Sequence, residues 1–227
     1  MKGKAENVLP YKDCNMSQDR PALSSAAPVA WGIVFVPVLL WSAWQPEDRM
    51  TWLLEAAPAV IGAVVLLATR RYFPLTPLLY VLILIHCIIL MVGAHYTYAK
   101  VPLFDLFKDW FEWQRNNYDK LGHLAQGLVP AMIARELLLR LQVIPSAAWR
   151  NFFIICFCLA FSAFYELIEW WVALISGEDA EAFLGTQGYV WDTQSDMAWA
   201  LGGAILALFT LNRLHDRQLN DMDTDRP

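Results

Sequence analysis

Glu166 and Glu169 are two carboxylates one helical turn apart inside an apolar run. With Ser162 and Tyr165 they fall at i, i+3, i+4 and i+7, a single stripe of a helix. Acids so placed in hydrocarbon repel one another and lose hydration, so at least one must hold a proton or meet a cation. Asp119 and His123 are four apart, as are Asp192 and Asp196, and each pair shares a helix face. Asp, Glu and His are ligands for hard or borderline divalent metals. Asp119, His123, Glu166, Glu169 and Asp196 are therefore the candidate metal set, leaving a position for water. Glu166, Glu169 and His123 are the candidate catalytic acid–base groups. Gln126, Gln187, Trp191 and Asp192 are candidate ligand-binding residues. The last three belong to the loop 183–192, where Gly185 and Gly188 permit a tight backbone of positive φ.

Plainer roles compete with each of these. Asp192, three residues before Ser195, suits an ordinary helix N-cap, and Asp119 sits where a helix dipole favours an acid. His123 could latch to Asp119 structurally. His95 suits a solvated interface position, His86 a helix–helix contact, and His215 a tail. Glu136 and Arg140 read as a simple i,i+4 pair, and the loop 183–192 as a turn. No zincin, phosphatase or desaturase motif is present, and a diiron membrane enzyme needs more than the four histidines here.

The elements that must hold these residues are membrane helices. Of 227 residues, 57% are hydrophobic and 17% charged, well under the roughly 25% charged of a soluble domain. A span needs about 20 mostly apolar residues. Six segments qualify: 29–44, 52–69, 76–99, 121–143, 152–176 and 195–214. The fourth is the most polar, carrying His123, Gln126 and Pro130 in its core and Arg135, Glu136 and Arg140 at its end. The expected fold is thus all-α, a polytopic bundle of about six spans over residues 29–214. Residues 1–28 read as a disordered cytoplasmic tail without a cleavable signal, and 215–227 as a second cytoplasmic tail. With the N-terminus inside, twelve Lys and Arg face the cytoplasm and five face outward, favouring both termini inside. Trp and Tyr near the helix ends resemble an interfacial belt.

In that topology His95, Asp119, His123, Glu166, Glu169, Asp192, Asp196 and Glu55 all lie in the outer half. A charge in hydrocarbon costs at least ~2.5 kcal/mol, so they should face one another around a chamber open outward. Residues 103–113 place Phe104, Phe107, Trp110 and Phe111 at helical spacing, which suits either an amphipathic helix on the outer leaflet or packing over the bundle mouth. The cysteines Cys14, Cys87, Cys156 and Cys158 show neither disulfide nor zinc spacing. No basic run suggests nucleic acid.

The strings YDKLGHLAQG (118–127), YELIEW (165–170), LGTQG (184–188) and WDTQSD (191–196) resemble the YjdF family of bacterial inner-membrane proteins, over roughly residues 30–214. A shorter likeness, through Asp119, Lys120, His123 and Asp196, is to VanZ-like proteins. The resemblance implies a multi-helix inner-membrane protein and no particular reaction. Three functions stay open: an enzyme or ligand-binding site, with or without a divalent metal, acting on an amphiphilic substrate; a cation or proton-coupled transporter; and a membrane scaffold. The partners expected are the lipid bilayer, an amphiphilic ligand, and a second copy packed through Gly202, Gly203, Ala200 and Ala204.

Overall fold

The structure is a computed structural model describing residues 26–176 and 186–224. Of residues 1–28, expected to be disordered, 1–25 lie outside it and 26–28 are helical; residues 177–185, with Gly185 among them, and 225–227 also lie outside it. Among the described residues there are eight α-helices and no strand: α1 (Ala26–Ala43), α2 (Arg49–Thr69), α3 (Pro77–Tyr96), α4 (Pro102–Trp110), α5 (Tyr118–Arg140), α6 (Ala147–Ser176), α7 (Asp192–Thr210) and α8 (Asn212–Thr224).

Each of the six expected segments is helical. By length and apolarity alone, α2, α3 and α6 can cross a membrane, and α7 with α8 forms a fourth candidate bent by 60°. The apolar part of α1 is shorter. α5 is too polar to qualify by composition, and the fold gives the reason. It sits at the centre, packed on α3, α6 and most extensively on α7. Its polar residues therefore meet other helices rather than lipid.

The α5–α7 crossing is close because it is built on small residues. A Cβ on Gly127 would overlap the carbonyl of Ala200, and one on Gly203 would overlap the carbonyl of Leu124. Ala200 and Ala204 are fully buried there. The face expected to join two copies is therefore consumed within one chain; only Gly202 looks into open space. The ring of Tyr98 is inserted between α3 and α5 in the same manner, against Gly93 and Gly122.

Asp48 caps α2, its Oδ1 accepting from Thr51 N at 2.6 Å. α4 divides its surface between both expected roles. Phe104 packs on Tyr118 at 5.1 Å between ring centroids, whereas Leu103, Leu106 and Trp110 are exposed.

The end of the chain departs from expectation. Of residues 215–227, read as tail, those up to 224 belong to a helix that begins at Asn212, and His215 is fully buried. It bridges Arg135, 2.7 Å from Nδ1, and Glu136, 3.0 Å from Nε2. Glu136 also accepts from Thr76 N, Thr76 Oγ1 and Arg140, and Arg135 pairs with Asp216. The supposed i,i+4 pair is thus one edge of a buried network. Between this network and the other end of the bundle lies an apolar layer of Leu79, Met132, Ile154, Ala204 and Leu208.

Candidate functional site

At the end opposite the Glu136 network, the first turns of α5 and α7, the last turns of α6 and the start of α2 converge. His123 is the hub. Its Nε2 lies 3.3 Å from Asp119 Oδ1 and 3.9 Å from both Glu166 Oε1 and Asp196 Oδ2. One ligand atom each from Asp119, His123 and Asp196 fall within 4.8 Å of one another, and so do those of His123, Glu166 and Glu169. All five residues expected to form the metal set are therefore brought together, and α-helical spacing explains how. Asp119 and His123 share one face of α5, Glu166 and Glu169 one face of α6, and Asp196 lies one turn into α7.

His123 is oriented by its other nitrogen: Nδ1 lies 3.0 Å from Gln126 Oε1. With the Nδ1 proton given to Gln126, Nε2 either shares a proton with Asp119 or offers its lone pair to a cation. Glu166 Oε1 is buried with no hydrogen-bond partner, and Ser162 Oγ, one turn below, is in the same condition. Glu55 joins from α2, 4% exposed, with Tyr165 Oη 3.4 Å from its Oε2.

Two cations, Arg115 and Lys120, both among the five counted in the outward loops from the sequence, prove central. Lys120 Nζ lies 2.6 Å from Asp196 Oδ1 and 3.1 Å from Asp192 Oδ1. Arg115 lies 2.5 Å from the same Asp192 oxygen, and its other terminal nitrogen 3.7 Å from Asp119. Both sit over the ring of Tyr189, at 5.4 and 5.6 Å. Asp192 consequently serves as the acceptor for two cations; α7 begins after Trp191 with no side-chain cap, so the N-cap role is not the one it plays. The signal that could have revealed Lys120 is its position beside Asp119, one turn before the polar stripe of α5.

The remaining expected residues separate. Gln187, at φ 49°, reaches the backbone of Asn116 in both directions, accepting from N at 3.1 Å and donating to O at 2.9 Å. Gly188 takes the positive φ expected of it, 78°. Trp191 is 61% exposed and lines neither cavity described below. His95 is held, with Nδ1 3.1 Å from the Ser42 carbonyl oxygen and its ring 4.5 Å from that of Trp41. His86 is not simply a packing residue, because it lines a cavity beside the cluster.

Two cavities flank the cluster. One, of about 790 Å³, is lined by Arg115, Lys120, Trp113, Tyr189, Ser195 and Trp199. The other, of about 420 Å³, reaches Glu55, Asp119, His123 and Glu169 and continues along apolar side chains of α2, α3, α5 and α6. Lys120 and Asp119, neighbours in sequence, line different cavities. The cluster forms the partition between the two.

Comparison with known proteins agrees with this architecture. The family described as "Predicted membrane protein (DUF2238)" matches residues 27–217. The chain is 53% identical over 182 residues to the inner membrane protein YjdF of Escherichia coli (strain K12), covering 80% of this chain and 87% of that one. No solved structure matches. The chain belongs to this family: it is a helical protein of the inner membrane.

Proposed function

We propose that this member of the DUF2238 membrane-protein family is an enzyme whose Asp/Glu/His cluster holds a divalent cation and activates water against an amphiphilic substrate. The observation that carries the reading is the buried, unpartnered Glu166 Oε1 facing His123 Nε2 at 3.9 Å. A buried carboxylate oxygen without a donor is costly, by roughly 1–3 kcal/mol. A bound cation or a bound water removes that cost.

Charge supports the same reading. Glu55, Asp119, Glu166, Glu169, Asp192 and Asp196 surround the hub, against Arg115 and Lys120 as permanent cations. Asp192 is occupied by both cations and Asp196 by Lys120. Glu166 and Glu169 have no such cation beside them among the ion pairs of the described residues. A divalent ion held by His123, Glu166 and Glu169, with Asp119 within reach, would balance the excess and bring the pKa of a bound water toward neutrality. The chain's own residues then divide the work. Gln126 would hold the imidazole through Nδ1, and Asp119, once Nε2 faces the ion, would be the carboxylate free to accept the water's proton. Charge counting across the loops supports an outward-facing site.

Transport is the weaker alternative, since the packed layer of Leu79, Met132 and Ile154 separates the cluster from the polar network at the other end. Metal analysis of the purified protein tests the proposal. Bound divalent metal is expected in the wild type, with most of it lost in Glu166→Ala and in His123→Ala. A metal-free wild type whose thermal stability is indifferent to added divalent ions and to both substitutions would overturn it.

A further inference from the structure

The cavity of about 420 Å³ has a direction. Its polar wall is the cluster end, with Glu55, His123 and Glu169; the walls then continue through Ile61 and Gly62 of α2, Ile83 of α3 and Ile133 of α5. From Glu55 to Gly62 is seven residues, about 10 Å of helix at 1.5 Å each. The result is a narrow lane, charged at one end and oily along its length.

The lane is also open sideways. α2 packs on α3, and α6 on α5 and α7, but no comparable packing joins α2 to α6. They meet through the hydrogen bond between Tyr165 and Glu55. At the edges of this gap Ile61, Phe161 and Phe164 are 61%, 42% and 51% exposed, and all three line the cavity. In a membrane those side chains face acyl chains. Pro58 and Pro130 both border the lane, each depriving the carbonyl one turn earlier of its helical donor. Such backbone is tolerated at membrane depth where it lines a cavity.

We infer that the ligand comes from the bilayer: a single-chain amphiphile slides between α2 and α6, lays its hydrocarbon chain in the lane and brings its head group to Glu55, His123 and Glu169. This deepens the enzymatic reading above and rests on it for the fate of the head group. The second cavity, lined by Lys120 and Ser195 on the far side of the cluster, then serves as the aqueous approach. Water and amphiphile reach the same residues from opposite sides.

Gly62 offers a test, because it lines the lane and a Cβ there meets nothing within 4 Å, so a large side chain can be placed on the lane's wall without disturbing the packing. Gly32 of α1 is equally open but lines neither cavity, and serves as the control. Full-length protein in nanodiscs would be photolabelled with a lysophospholipid carrying a mid-chain diazirine, and the adducts mapped by mass spectrometry. Adducts concentrated at Ile61, Ile133 and Phe161 are expected in the wild type and in Gly32→Trp, with most of them lost in Gly62→Trp. Gly62→Leu, a smaller obstruction, should show partial loss. Adducts scattered evenly over the lipid-facing helices, or unchanged in Gly62→Trp, would overturn the inference. Metal content of the same preparations separates the two proposals. Labelled lanes in metal-free protein would sink the metal and spare the lane; metal retained without lane labelling would do the reverse.

Discussion

Glu136 and His215 meet at 3.0 Å with neither side chain exposed. Around them Arg135, Arg140, Thr76 and Asp216 complete a set in which each charge is answered. Such a network is sensitive to removal of one member, because the survivors keep the cost of burial without the attraction that offset it. Glu136→Ala should destabilise the protein by about 3 kcal/mol or more, read as a lowered melting temperature in detergent, with Glu136→Gln intermediate. A melting temperature unchanged in both would show that the network contributes nothing. The acid–histidine cluster at the other end obeys the opposite logic. There Glu166 Oε1 and Ser162 Oγ are left without hydrogen-bond partners, so truncating Glu166 should cost little stability in chelator-treated protein but remove the stabilisation that added divalent ions give the wild type. A polar group that the fold leaves unsatisfied is one that something else is meant to satisfy.

At the scale of elements, the clustered acids and His123 were legible because helices are periodic and lipid excludes charge. The four-residue spacing of Asp119 and His123, and the stripe containing Glu166 and Glu169, needed only a wheel and a depth. Arg115 and Lys120 were not legible as site residues, since positive charges flanking a span also mark topology. His215 was hidden for another reason. α8 reads NRLHDRQLNDMDT, a polar string, and it packs through ion pairs and hydrogen bonds rather than through an apolar stripe. Periodicity of hydrophobic residues has nothing to detect there. The α5–α7 crossing was half legible: small residues announced close packing, but not whether the partner was another copy or another helix. Gly127→Leu settles how much the crossing matters. Its side chain has no room against Ala200, so the helices must separate. That also displaces Asp119 and His123 from Asp196, and Gly127→Leu is expected to lose bound metal and thermal stability together. Gly202→Leu, on the partner helix α7 but facing open space, should keep both. Loss in the second variant equal to the first would mean that the crossing is not what the substitution disturbs.

For the whole molecule, the membrane assigns the two polar regions to opposite ends, separated by the layer of Leu79, Met132 and Ile154. Reporter fusions after Arg150 and at the C-terminus should both report the cytoplasm, as the positive charges require. An external signal at either would place the acid–histidine cluster on the other side of the membrane and reverse the source of its water.

The bend between α7 and α8 carries a consequence for how the chain is made. Helices enter a bilayer in order as they leave the ribosome, yet the network around Glu136 needs His215 and Asp216, and the start of α3 is held by Gln218, whose Oε1 accepts from Leu78 N at 2.8 Å. Until that late stretch emerges, Arg135 and Glu136 have already been synthesised without their final partners. The bundle therefore threads first and locks last, like a drawstring pulled from its far end, and during that interval a quality-control protease would find α5 at its most vulnerable.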